Sequence, residues 1–107
     1  MISTHILDTH LGNPASGVEV KLQKQTGDTW TDIGVDRTND DGRIVYDCAY
    51  EAGVYRLDFE IEEYYAKNKQ EFFFVTVPII FNITDTNRKY HVPLLLNPFG
   101  YTTYRGS

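Results

Sequence analysis

Apolar and polar residues alternate with period two along much of this chain. Val18, Val20 and Leu22 alternate with Glu19, Lys21 and Gln23. Ile44, Tyr46 and Cys48 alternate with Arg43, Val45 and Asp47. Tyr55, Leu57, Phe59 and Ile61 alternate with Arg56, Asp58 and Glu60. Each pattern predicts a strand with one face in a core and one in water. Turn-forming residues fall between the runs: Asn13-Pro14, Thr26-Gly27-Asp28, Asn39-Asp40-Asp41-Gly42 and Asn97-Pro98. Asn39 to Gly42 reads as a hairpin turn. Short strands at this spacing predict an antiparallel sandwich or barrel. Glu62 to Lys69 breaks the alternation. It carries helix formers with acids first and bases last, which suits the helix dipole, so it predicts a short surface helix.

Two segments are apolar on both faces, Phe72 to Phe81 and Tyr90 to Leu96. In the second, Tyr90, Val92, Leu94 and Leu96 share one face, and His91, Pro93 and Leu95 share the other. One face fills a core. The other needs cover, and a small domain has little left to supply it, so an oligomer interface is expected. The last residues, Tyr101 to Ser107, continue a strand-like pattern with no long polar tail.

A length of 107 residues fits one compact domain over 1–107. Such a chain buries roughly two-thirds of its extended surface, enough to fold without staples. Ten basic and fifteen acidic residues give a formal net charge of −5. The basic residues are scattered, so neither nucleic acid nor an anionic membrane surface is an expected partner. Cys48 is the only cysteine, which excludes an internal disulfide and favours the cytoplasm. The opening Met1-Ile2-Ser3-Thr4-His5 lacks the charged and apolar regions of a secretory leader. Asn82-Ile83-Thr84 matches a glycosylation sequon by chance at a strand end.

Candidate chemistry is sparse. Phosphate-binding loops, dinucleotide fingerprints and serine elbows are absent. Placing Gly42 at the sixth position of a calcium loop puts Arg37 first and Cys48 last, and neither can ligate calcium. His5 and His10 are an odd number of residues apart, hence on opposite faces of a continuous strand, and no zinc spacing exists. No metal is expected. His91 is the unusual residue. It sits in an almost wholly apolar strand, where a buried imidazole must be hydrogen-bonded or used.

Four segments together resemble one family, the 5-hydroxyisourate hydrolases, transthyretin-related enzymes of urate (purine) degradation. Thr4-His5-Ile6-Leu7-Asp8-Thr9 is similar to the family's first-strand motif. Asn39-Asp40-Asp41-Gly42-Arg43 is similar to its turn-plus-arginine motif. Tyr90-His91-Val92-Pro93-Leu94-Leu95-Leu96 and the closing Tyr104-Arg105-Gly106-Ser107 resemble its two C-terminal signatures. The resemblance implies an all-β fold, a transthyretin-like antiparallel β-sandwich of about eight strands with one short helix. It implies a homotetramer with sites at the dimer–dimer interface. It implies hydrolysis of 5-hydroxyisourate to 2-oxo-4-hydroxy-4-carboxy-5-ureidoimidazoline without a cofactor.

Carried over by motif, the catalytic residues are His5, Arg43, His91 and Ser107, and the substrate-binding ones His5, Arg43 and Tyr104. Opening a cyclic amide needs an activated water and a stabilised oxyanion. A near-neutral imidazole suits the first and a fixed guanidinium the second. One of His5 and His91 would take the water's proton while the other orients substrate. Ser107, by hydroxyl or carboxylate, would hold a histidine or the water, and Tyr104 would line the pocket. The alternative is a transthyretin-like carrier that binds small ligands without chemistry.

Overall fold

The computed structural model describes every residue except Ala49. Among the described residues, nine strands and one helix follow in chain order: β1 (Ile2–Asp8), β2 (Asn13–Pro14), β3 (Glu19–Thr26), β4 (Thr29–Arg37), β5 (Arg43–Tyr46), β6 (Gly53–Glu60), α1 (Glu62–Lys67), β7 (Thr76–Ile83), β8 (Tyr90–Asn97) and β9 (Gly100–Thr103). They form two sheets. One runs β2-β1-β8-β9, with β5 also on β1, and the other runs β4-β3-β6-β7. Every pair is antiparallel except β1 with β8, which is parallel. This is the transthyretin-like sandwich expected from the sequence, with one parallel seam inside it.

The alternating residues close the core. Val20 and Leu22 of β3, Leu57 and Phe59 of β6 and Val77 of β7 are buried against Ile2 and Ile6 of β1, Ile44 of β5, and Leu94 and Leu96 of β8. Each contributes about 1.5–3 kcal/mol of transfer free energy. On β1 the inward set is Ile2, Thr4, Ile6 and Asp8, so Ser3, His5 and Leu7 face outward, half-buried. Thr4 is buried, and its hydroxyl donates to the Val92 carbonyl at 2.6 Å.

Three expectations are corrected here. The Asn39–Gly42 turn exists, with the Gly42 amide on the Asn39 carbonyl at 2.9 Å. It is not a hairpin: β4 lies in one sheet and β5 pairs with β1 in the other. The turn therefore crosses between layers, because turn chemistry sets local backbone and not the strand that follows. Cys48 lies beyond the end of β5 and is half-buried. In the first doubly apolar segment, Phe72 to Phe81, the strand begins only at Thr76 and runs on to Ile83. Phe72 stacks on Tyr65 at 5.7 Å between ring centroids, and Phe74 meets Tyr101 edge-on at 5.5 Å.

Helix α1 ends two residues before the expected limit, because Asn68 caps it and Lys69 turns to φ 54°. It is pinned to the end of β1 by Asp8. That carboxylate is 2% exposed, and it accepts the Tyr64 hydroxyl at 2.7 Å and the His10 and Leu11 amides at 3.0 Å each. Tyr64→Phe leaves a buried carboxylate short of one donor. Urea unfolding should show a loss of about 1.5–3 kcal/mol, and a loss under about 0.5 kcal/mol would mean the bond does not hold the helix.

Candidate active site

The outer face of the first sheet carries the polar residues. The register of β1 sets His5 opposite Arg43 on β5 and Ser3 opposite His91 on β8. Side chains two apart on a strand share a face, so Ser3 and His5, Arg43 and Val45, and His91 and Pro93 all project to the same side. Here the parallel seam matters: it brings residues 88 positions apart into direct contact, with the Ser3 Oγ 2.8 Å from His91 Nδ1.

The C-terminal segment completes this face. After β9 the chain returns, and Gly106 forms a bridge to His91, its amide donating to the His91 carbonyl at 2.8 Å. The tail packs so closely that a Cβ on Gly106 would stand 2.6 Å from His91 Cδ2 and 3.2 Å from Pro93 Cγ. Pro93 is buried as a result, so part of the second apolar face of β8 is covered by the chain itself. Ser3, Arg43, Lys89, His91 and Ser107 line one open cleft of about 400 Å³. Tyr104 is not among the residues that line this cleft. It lines a separate cavity of about 220 Å³ with Ile79, Phe81, Arg88 and Arg105, and His91 borders both spaces.

Both imidazoles are held below the ordinary value of 6.5. For His5 the largest cause is burial, then the charge of Arg43, opposed by the Asp41 main chain. For His91 burial again leads, followed by Arg43 and His5, opposed by the Ser3 main chain. Desolvation and a nearby cation both disfavour the imidazolium. The arrangement therefore sets two imidazoles whose neutral form is favoured beside the Arg43 guanidinium, a candidate base set next to a group that can stabilise an anion.

Of the residues expected from the sequence, Arg43, His91 and Ser107 share the cleft, His5 stands against Arg43, and Tyr104 occupies the neighbouring cavity. Lys89 and Ser3 escaped notice in the sequence. Each lies two residues before a candidate histidine, so the period-two rule was the signal that pointed to them. Among the described residues, no three His, Cys, Asp or Glu side chains gather as a metal-binding group. No helix is long and apolar enough to cross a membrane.

Residues 2–106 match the HIUase/Transthyretin family. The chain belongs to this family. Among its relatives, a probable 5-hydroxyisourate hydrolase of Caenorhabditis elegans is 45% identical over 109 residues, covering 99% of this chain and 81% of that protein. The solved structure of Klebsiella pneumoniae 5-hydroxyisourate hydrolase superposes with a TM-score of 0.87 at 36% identity, over 99% of this chain and 98% of that one. Sea bream transthyretin in complex with thyroxine superposes with a TM-score of 0.91 at 32% identity, over 98% of this chain and 93% of that one. The same backbone thus serves a named hydrolase and a transthyretin solved with thyroxine, and side chains must separate them.

Proposed function

We propose that this chain is a 5-hydroxyisourate hydrolase of purine degradation, converting its substrate to 2-oxo-4-hydroxy-4-carboxy-5-ureidoimidazoline. What supports this above all is the set of His5, Arg43 and His91 on one outer sheet face, where Arg43 and His91 line a cleft together with Ser107. A carrier of apolar ligands has no use for two depressed imidazoles beside an arginine. A hydrolase does.

The steps follow from the groups. One neutral imidazole takes a proton from water, and the resulting hydroxide adds to the ring carbonyl carbon. Negative charge grows on the carbonyl oxygen, and Arg43 stabilises it. The ring C–N bond then breaks, and the imidazolium returns its proton to the leaving nitrogen. The second imidazole orients the substrate. Ser107 holds a histidine or the water, and Tyr104 acts from the adjoining cavity. This chemistry calls on no cofactor.

The active form is proposed as a homotetramer with sites at its dimer–dimer interface. Exposed Phe73, Phe99 and Tyr101, and Val45 on the cleft-bearing sheet, are the apolar surfaces such an assembly would cover. Sedimentation should give four times the 12.3 kDa chain mass. A cytoplasmic location suits the unpaired thiol of Cys48.

The direct test is ultraviolet absorbance of freshly made 5-hydroxyisourate, with and without protein. Faster decay, lost on removal of Gly106 and Ser107 from a chain that still folds, is the expected result. Undiminished turnover by the shortened chain would remove the tail from the mechanism, and no acceleration by the intact protein would leave the carrier.

The pH profile carries a second expectation. The base must be neutral, and both imidazoles are depressed, so the acid limb of kcat/KM should lie below the ordinary imidazole value of 6.5. Arg43→Gln removes one depressing charge but leaves burial in place. Its acid limb should move up toward, and stop short of, the ordinary value. A limb that stays put, whatever the overall rate, would show that Arg43 does not act on the base.

A further inference from the structure

We propose that Ser3 is a positioning residue for hydrolysis: its hydroxyl, working against the backbone of Gly106, fixes the tautomer and orientation of His91 so that Nε2 is the nitrogen offered to the attacking water. This deepens the hydrolase reading and rests on it.

Two contacts on opposite parts of one ring carry the proposal. On one side, Ser3 Oγ lies 2.8 Å from His91 Nδ1, held there by direct pairing of the two residues across the parallel seam. The hydroxyl alone could give or take a proton. With Nδ1 turned to Ser3, a ring that takes the water's proton at Nε2 must carry its own hydrogen on Nδ1. In that state the Nδ1–H donates to the Ser3 hydroxyl oxygen across 2.8 Å. Nε2 keeps its lone pair. On the other side, Gly106 lies against Cδ2 and Cγ with no room for a methyl group. The ring cannot swing toward the tail, and its Nδ1 edge cannot leave Ser3 without losing a hydrogen bond. Among the described contacts no side-chain hydroxyl bonds to either ring nitrogen of His5. Of the two imidazoles, His91 is the one locked in place.

Gly106 offers a clean second probe. Its backbone lies outside the left-handed region, so alanine brings no φ strain, only the methyl group against the His91 ring.

The test uses the full-length chain with Ser3→Ala, Ser3→Thr and Gly106→Ala. Long-range proton–nitrogen spectra of the histidine rings should show the Nδ1–H tautomer of His91 in the unaltered protein, a mixed tautomer in Ser3→Ala, and recovery in Ser3→Thr. In the ultraviolet assay Ser3→Ala should lower kcat about 3- to 10-fold, the rate equivalent of one neutral hydrogen bond, with KM unchanged. Ser3→Thr should restore it. Gly106→Ala, by displacing the ring, should cost about a hundredfold in kcat. If His91 keeps the same tautomer in Ser3→Ala, or if that variant raises KM while kcat stands, Ser3 does not position His91 and the proposal is overturned. The spectra decide this even if the unaltered protein proves unable to hydrolyse 5-hydroxyisourate, an outcome that would instead sink the hydrolase reading.

Discussion

His91→Asn is expected to abolish turnover while leaving the fold intact. Asparagine fits the space of the imidazole, and its side-chain oxygen can still take the Ser3 hydroxyl. What it lacks is a nitrogen that can accept a proton near neutral pH. Loss of a positioned general base lowers kcat by about 10²–10⁴-fold. The thermal midpoint should change little, because His91 is half-buried and most of β8's burial comes from Val92, Leu94 and Leu96 on the other face. Paired measurements of kcat and thermal unfolding check both halves. Near-normal kcat in a folded variant would mean that His91 plays no chemical part. A collapse of the fold would mean that its role is structural.

The second large effect is expected at Gly42, on stability. This glycine is buried, has φ +73°, and sits just before Arg43. A Cβ there would come within 2.5 Å of the Ile6 carbonyl oxygen, a main-chain atom that cannot swing aside. The Gly42 carbonyl also accepts the Ile6 amide at 2.8 Å, which ties the turn to β1 next to His5. Gly42→Ala therefore adds left-handed strain to a backbone clash, for a loss of about 2–4 kcal/mol. Gly27 supplies the control. Its φ is +62° but its surroundings are open, so Gly27→Ala meets the strain alone, about 1 kcal/mol. Urea midpoints at constant slope would measure both. Equal losses at the two sites would show that the Ile6 contact yields easily. Because Gly42 sets the approach of Arg43 to His5, any folded Gly42→Ala protein should also lose activity.

The two large antiparallel runs were legible in the sequence because their evidence is local. Val20 to Leu22 and Tyr55 to Phe59 announce a buried face by simple alternation. The helix at Glu62 was legible from charge order, and its end was missed because Lys69 adopts a left-handed backbone that no propensity rule assigns to lysine. The pairing of β1 with β8 was not legible. Nothing in Ile2–Asp8 or Tyr90–Asn97 names its partner; that choice belongs to the whole sheet. The same limit hid the crossing role of the Asn39–Gly42 turn. In the site, His5, Arg43 and His91 stood out by motif and by an imidazole set among aliphatics. Ser3 and Lys89 did not, since serine and lysine on a strand's outer face are ordinary until the neighbouring strand is known. Tyr104 lines the neighbouring cavity and not the cleft, although it closes the same motif as Ser107.

The parallel seam also has a meaning in time. β1 is the first strand to be synthesised, and its neighbour β8 is the eighth of nine. Until residues 90–97 have emerged, the first strand has lost its chief partner and its edge stands open. Contacts this distant in sequence close late and slowly. The contact that joins Ser3 to His91 spans the same 88 residues. The sheet is therefore finished and the cleft assembled in a single late event, and a nascent chain stopped short of β8 has neither a closed first sheet nor the cleft that His91 lines.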